Sequence, residues 1–161
     1  AAGSAAGHRV SHRGRRRPRI LHLATHFEFN PADASHSRLI LGDGGAVGVD
    51  EIAGWDFQGI ELVTLSACES GASPEATEGL AALIRERGAR SVLATLWRVE
   101  DSSTAAMMAD IYRRSTDLPL AEALRQTQIA RIHGDDRLAH PFLWAPFVLF
   151  EDGASYPWNT Q

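Results

Sequence analysis

Two short stretches of the sequence carry residues whose types are suited to covalent catalysis. The stretch Glu61–Gly71 reads ELVTLSACESG and contains Cys68, the only cysteine of the 161-residue chain. The stretch Arg19–Phe29 reads RILHLATHFEF and contains His26 directly after an apolar segment. A lone cysteine with a histidine elsewhere in the sequence is a candidate nucleophile and base. These residues therefore indicate nucleophilic catalysis by a thiol.

The elements that position these two residues are predicted to be apolar β-strands, and the strand before Cys68 is predicted to be buried. Ile20 to Ala24 precedes His26, and Leu62 to Ala67 precedes Cys68, with a turn at 69–71. In open α/β sheets, ligands bind at the carboxyl ends of the strands. His26 precedes Cys68 by 42 residues, so the two side chains can meet only through neighbouring strands.

The rest of the chain alternates strand and helix signals. A glycine-rich turn at 42–45 joins Arg38–Leu41 to Ala46–Val49 as a hairpin, and Asp50 is predicted to cap a short helical turn that follows. The later segments are a helix from Ser73 or Thr77 to Arg87 with Pro74 in its first turn and Gly88 as its stop, a strand at Arg90–Leu96, a helix capped by Asp101 or Ser102, a helix from Pro119 to near Gly134, and an edge strand at Phe147–Phe150. This order predicts a mainly parallel sheet with helices on its faces.

Composition predicts one soluble domain with a sizeable core. Apolar residues make up 44% of the chain and charged residues 22%. No apolar run approaches the roughly 18 residues of a membrane helix, and the first residues lack the apolar segment of a secretory signal. The single cysteine suits a reducing compartment, so we expect a cytoplasmic protein.

The charge of the chain is unevenly distributed. Residues 1–19 hold six arginines and no acid, whereas residues 20–161 carry 10 positive and 20 negative groups. The acidic body disfavours nucleic acid as a partner. We interpret 1–18 as a disordered or truncated basic tail, 19–152 as the folded domain and 153–161 as a C-terminal tail. A nucleic-acid-binding arm, or the edge of a longer domain, are the alternatives for 1–18.

Several stretches, taken in chain order from about Ile20 to Asp152, resemble a known family. They read LHLATHFEF, LILGDG, LVTLSACESG, GARSVLATLWRVEDSST, EALRQTQ and HPFLWAPFVL. This series is similar to the CHAT domain, a bacterial caspase-like domain that is often joined to tetratricopeptide repeats. The resemblance implies a caspase-hemoglobinase fold, which is a three-layer α/β sandwich, and a cysteine peptidase activity related to that of caspases and separase.

The resemblance also assigns roles to residues of this sequence. It implies that His26 is the base and Cys68 the nucleophile, with backbone N–H groups of Phe27 and Cys68 as oxyanion donors and with no cofactor. Two features depart from the family pattern. Many caspase-like sites have glycine where Phe27 stands, and the strands and helices usual upstream of the histidine strand are replaced by the basic tail. The sheet is therefore expected to lack some upstream elements, or to be completed by another chain or by a tetratricopeptide-repeat sensor partner.

The run LWRVED also resembles the corresponding run of separase, in which an acid binds the arginine before the scissile bond. The resemblance implies that Asp101 binds a basic side chain, with Glu100 as a second candidate and Trp97 as a wall of that pocket. Helix capping is the alternative for Asp101, and core packing is the alternative for Trp97. If Asp101 binds a basic side chain, cleavage of a protein or peptide substrate follows Arg or Lys.

Other residues are predicted to have structural roles. His22 lies mid-strand, four residues before His26, and a zinc pair between them lacks supporting ligands. His36, His133 and His140 are interpreted as loop or packing residues, and Glu69 and Glu78 as solvated acids. Two other functions remain open: a catalytically silent CHAT-fold scaffold, and a flavodoxin-like ligand-binding domain, which would lack the usual glycine-rich phosphate loop.

Overall fold

The structure is a computed structural model that describes residues 18–30, 36–66, 74–134 and 139–151. Its strands are β1 (Ile20–Leu23), β2 (His26–Glu28), β3 (Arg38–Ile40), β4 (Ala46–Gly48), β5 (Leu62–Leu65), β6 (Ser91–Thr95) and β7 (Phe147–Glu151). Its helices are α1 (Val49–Ile52), α2 (Pro74–Glu86), α3 (Asp101–Arg114), α4 (Leu120–Ile132) and α5 (Pro141–Trp144). The predicted C-terminal tail, 153–161, and all of the predicted basic tail, 1–18, except its last residue lie outside the described residues.

Four strands form the main sheet in the order β1-β5-β6-β7. β1 pairs with β5 in parallel, with Leu23 opposite Leu65, and β5 pairs with β6 in parallel. β7 pairs with β6 in the antiparallel direction and forms an outer edge. The carboxyl ends of the three parallel strands therefore lie along one rim of the sheet. Pro146 precedes the edge strand, as the sequence predicted, because an edge tolerates the missing N–H donor.

Helices cover both faces of this sheet and produce three layers. All residues of β5 and β6 are buried, as expected for central strands with helices on each side. Val63 and Val92 pack on one face with α2, and Leu62 and Leu93 pack on the other face with α3 and α4. The predicted three-layer α/β architecture with a mainly parallel sheet is confirmed.

A second, antiparallel sheet follows the first strand of the main sheet. β2, β3 and β4 pair in sequence order, with Phe27 opposite Leu39 and Leu39 opposite Val47. These three side chains are buried in the same core as α2, so the small sheet is attached to the main one by its apolar face. The predicted hairpin is confirmed, and Gly44 supplies the positive φ of its turn.

The ends of the helices differ in part from the prediction. Pro74 is the first residue of α2, as predicted, and Gly88 lies just past its end with φ +110°. The N-cap of α1 is Gly48, so the prediction that Asp50 caps this turn is wrong; Asp50 lies inside the first turn. α5 was not predicted, because Pro141–Trp144 is a single turn inside an apolar segment.

Among the described residues, no helix has the length and apolar character needed to cross a lipid bilayer. The longest, α3, carries acidic and basic residues in its first and last turns.

A half-buried ion pair joins the two helices on one face of the sheet. Arg131 on α4 donates to the Asp110 carboxylate on α3 at 2.5 Å, and their side chains are 15% and 26% exposed. Arg113 donates to the other carboxylate oxygen at 2.5 Å. Asp110 thus links a turn of α3 to α4, and its loss would leave the Arg131 guanidinium without its carboxylate partner in a mostly covered position.

We expect Asp110→Asn to lower the free energy of unfolding by about 1–3 kcal/mol, because a covered charged donor loses an ionised acceptor. Urea unfolding followed by circular dichroism measures the change. The matched control is Glu122→Gln, which weakens an ion pair with Arg125, a side chain that is 60% exposed, and should change stability little. Equal effects of the two substitutions would contradict this assignment.

Candidate active site

A cavity of about 410 Å³ lies at the carboxyl rim of the parallel strands. Its walls come from the end of β1 and the start of β2, from Ser66 after β5, from Thr95 at the end of β6, and from the start of α3. His26 and Asp101 both line it. A larger hollow of about 580 Å³ lies beside the end of α2 and the start of β6, and contains none of the predicted site residues. The strand-end cavity is therefore the candidate site.

His26 is positioned by the change from one sheet to the other. It is the first residue of β2, and the alternation of this strand leaves His26 and Glu28 exposed while Phe27 is buried. The Thr25 hydroxyl donates to the carbonyl of Ile40, which ties the connection between β1 and β2 to β3. The buried Phe27 side chain and the Thr25 contact thus fix the backbone on both sides of His26.

Cys68 and the predicted turn at 69–71 lie outside the described residues. The described chain reaches Ser66, two residues before Cys68, and Ser66 lines the same cavity as His26. The Ser66 N–H donates to the Leu23 carbonyl at 3.1 Å, which extends the β1–β5 pairing by one residue. β5, the strand that precedes Cys68 in the sequence, therefore ends at the rim where His26 lies.

His22 makes a set of polar contacts behind this rim that the sequence did not predict. Its Nδ1 lies 2.9 Å from the Tyr112 hydroxyl, which lies 2.9 Å from Thr64 Oγ1, and its Nε2 lies 3.4 Å from Ser66 Oγ. Its ring meets the Tyr112 ring edge-on. Partial burial lowers the pKa of His22 and raises the pKa of Tyr112. Both side chains are therefore neutral near pH 7.

Asp101 lies in the first turn of α3 and lines the cavity. The N-cap residue of α3 is Glu100, whose side chain makes no capping hydrogen bond. The prediction that Asp101 or Ser102 caps this helix is therefore wrong. Among the cavity-lining residues that the structure describes, Asp101 is the only carboxylate and Arg98 the only guanidinium. Arg98 was not predicted, because its charge alone did not distinguish it from other surface arginines.

Glu100 and Trp97 are near the cavity in sequence but do not line it. The Glu100 carboxylate accepts a hydrogen bond from Ser102 at 2.8 Å. Trp97 is 36% exposed, and its Nε1 donates to the Phe142 carbonyl at 2.9 Å while the two rings lie in contact. The core alternative for Trp97 is therefore wrong, and the side chain packs against Phe142 of α5 instead.

The other histidines of the described chain lie away from the cavity. His140 accepts a hydrogen bond from the Phe142 N–H and caps α5, and His133 ends α4 in an exposed position. No three His, Cys, Asp or Glu side chains form a metal-binding group within the described ranges.

The comparison with family models assigns the chain to a family. A model described as the CHAT domain matches residues 3–152. The chain belongs to the CHAT domain family. The resemblance stated from the sequence is thereby confirmed, and the mainly parallel sheet between helices agrees with the caspase-like fold of CHAT domains. The search of curated proteins found none that matches this CHAT domain.

The CHAT domain should become less stable in mild acid because of His22. Burial disfavours its charged form, so the unfolded chain takes up a proton near the ordinary value of 6.5 while the native state resists it. The unfolded state then binds more protons, and stability falls as the pH drops through and below 6.5. Replacement of His22 by glutamine should reduce this loss, as measured by urea unfolding between pH 8 and pH 5.

The control is His133→Gln, which removes an exposed imidazole and should keep the wild-type slope. If the curves for wild type and His22→Gln run parallel over the whole range, the native state does not hold His22 neutral.

Proposed function

We propose that this CHAT domain is a cysteine endopeptidase of the caspase and separase type, with His26 and Cys68 as its dyad. One observation supports the proposal: His26, Asp101 and Ser66, which precedes Cys68 by two residues, line one cavity at the carboxyl rim of the parallel strands. An active-site thiol needs a base within reach and space for a peptide. The cavity is lined by the candidate base, His26, and by Ser66, the residue that follows β5.

The proposed reaction begins with attack of the Cys68 thiolate on the carbonyl carbon of the scissile peptide bond. The carbonyl oxygen becomes an oxyanion, which the backbone N–H groups of Phe27 and Cys68 stabilise. The tetrahedral intermediate collapses as the C–N bond breaks, and the His26 imidazolium gives its proton to the leaving amine. Water, deprotonated by His26, then hydrolyses the thioester and releases the new carboxylate and the thiol. No step requires a cofactor.

We propose that the substrate is a protein or peptide cleaved after Arg or Lys. Asp101 supplies the only carboxylate among the described residues that line the cavity, which favours a basic side chain there. Arg98 on the same wall disfavours a second cation close by. Glu100 remains a secondary candidate that would need a different side-chain orientation to reach the cavity, and Trp97 a candidate wall at its outer end.

We further propose a cytoplasmic, bacterial setting, in which a single free thiol stays reduced. A partner that carries tetratricopeptide repeats, or a segment upstream of the domain, would control access to the site.

A peptidyl acyloxymethyl ketone that ends in arginine should add one inhibitor to the protein through Cys68. Intact-mass analysis detects the adduct, and because the chain has a single cysteine, peptide mapping assigns it without ambiguity. Cys68→Ser should abolish labelling, and His26→Ala should slow it by about 10²-fold or more, since a positioned acid–base group contributes about 10²–10⁴-fold.

His133→Ala is the matched control, because it removes an exposed histidine outside the cavity and should label at the wild-type rate. A folded wild-type protein that is not labelled would contradict the peptidase and favour the silent scaffold.

Substitution of Asp101 by asparagine should lower kcat/KM about tenfold or more for peptides with arginine before the cleaved bond, because an ionised acceptor of the guanidinium is lost. The same variant should cleave a norleucine analogue at a rate close to that of the wild type. Glu100→Gln is the matched change one residue away, outside the cavity. If it reduces the arginine preference more than Asp101→Asn does, Glu100 and not Asp101 selects the substrate.

A further inference from the structure

A continuous chain of polar side chains runs from the middle of the main sheet to the rim of the cavity. It begins at Thr64, buried in β5, passes through the Tyr112 hydroxyl and the His22 imidazole, and ends at Ser66 Oγ. The contacts measure 2.9, 2.9 and 3.4 Å. Two of its members, His22 and Ser66, line the cavity.

The four groups form a chain in which the tautomer of His22 sets the direction of its two hydrogen bonds. A neutral imidazole donates from one nitrogen and accepts at the other, and a hydroxyl both donates and accepts. If Tyr112 donates to His22 Nδ1, then Thr64 donates to Tyr112 and His22 Nε2–H donates to Ser66. With the other tautomer, His22 Nδ1–H donates to the Tyr112 hydroxyl and Ser66 donates to His22 Nε2. In both cases the His22 ring is held at its two nitrogens, and its orientation toward Ser66 is fixed.

Ser66 is restrained on its main chain as well as on its side chain. Its N–H donates to the Leu23 carbonyl at 3.1 Å, in line with the parallel pairing of β1 and β5. The side-chain contact comes from His22 on the same strand, β1. Two contacts from one neighbouring strand thus restrain Ser66, the residue that follows β5.

We propose that His22 and Tyr112 are positioning residues for the thiol chemistry: they act through Ser66 on the segment that carries Cys68, two residues further along the sequence. The catalytic role of these two residues rests on the proposed function, whereas their effect on the reactivity of Cys68 does not. The hydrogen-bonded chain itself would also change the reactivity of Cys68 in a protein that cleaves no peptide. Small displacements of a nucleophile are costly in enzymes, because reaction requires close and aligned approach.

The test measures the alkylation of Cys68 by iodoacetamide in the full 161-residue chain, as a function of pH, by intact mass. Tyr112→Phe removes the hydroxyl and keeps the ring, and His22→Ala removes the whole link. Each should slow alkylation at pH 7 about three- to tenfold, the change in rate that corresponds to a typical hydrogen bond. Each should also move the midpoint of the pH profile up toward the ordinary thiol value of about 8.5.

Conservative substitutions of His22 separate its two contacts. The amide of His22→Gln lies at about the reach of Nε2 and can retain the bond to Ser66, whereas that of His22→Asn lies near Nδ1 and can retain the bond to Tyr112. The proposal predicts a faster alkylation in the glutamine variant than in the asparagine variant. It also predicts that Tyr112→Phe adds little to His22→Ala, because the two residues act in one chain.

The control is Thr127→Val, which removes another buried hydroxyl that donates to a main-chain carbonyl, on α4 and away from the cavity. It should lower the melting temperature without changing the alkylation of Cys68. The proposal is overturned if folded His22→Ala and Tyr112→Phe react at the wild-type rate, if they react faster, or if Thr127→Val slows the alkylation as much as they do.

Failure of this proposal can be distinguished from failure of the proposed peptidase function. A wild-type thiol that titrates at its ordinary value and forms no peptidyl adduct refutes the peptidase, while the differences in alkylation rate among the variants still decide whether His22 and Tyr112 position the segment.

Discussion

Parallel pairing of β1, β5 and β6 is the constraint on which the site depends. Leu23, Leu65 and Thr95 end the three strands at one rim, because parallel strands in register present the same end to the same side. The residues that follow the three strands are therefore close in space although they are far apart in the sequence. His26, Ser66 and Asp101 reach one cavity for this reason, although the first and the last are 75 positions apart.

The pairing is stabilised by burial on both faces of the central strands. Leu62 and Leu93 pack against α3 and α4, and Val63 and Val92 pack with α2. Their side chains are 0–1% exposed, so each contributes on the order of 1.5–3 kcal/mol by leaving water. The rim, by contrast, carries partly exposed polar groups. The packed centre of the sheet thus supports an edge whose side chains are arranged for contact with a ligand.

Most of the main sheet could be predicted from the sequence, because its strands are apolar runs bounded by turn residues. The runs 62–65 and 91–95, the glycine-rich hairpin and the helix that starts at Pro74 all carry strong local signals. The separation of β2 from β1 into another sheet could not be predicted. It depends on the pairing of His26–Glu28 with β3, and three residues are too few for a pattern to show a change of partner.

The site itself was only partly accessible to sequence reasoning. His26 was found as a candidate base from its position after an apolar strand, and Asp101 through the resemblance of the run around it; both line one cavity. Tyr112 lies within α3, and no sequence pattern indicated that its hydroxyl contacts His22, which is 90 residues away. The predictions that Asp50 and Asp101 cap helices were wrong because α1 and α3 begin earlier in the sequence than expected. The N-cap residues are Gly48 and Glu100.

The central claim is that the imidazole of His26 and the sulfur of Cys68 face each other across the cavity at the strand ends. A crystal structure of the protein with a peptidyl ketone ending in arginine bound covalently to Cys68 tests it most directly. The account predicts a His26 nitrogen within hydrogen-bond reach of the leaving-group position, and the arginine side chain directed at Asp101. A sulfur on the opposite edge of the sheet, or one enclosed in the core with no groove above it, would contradict the account.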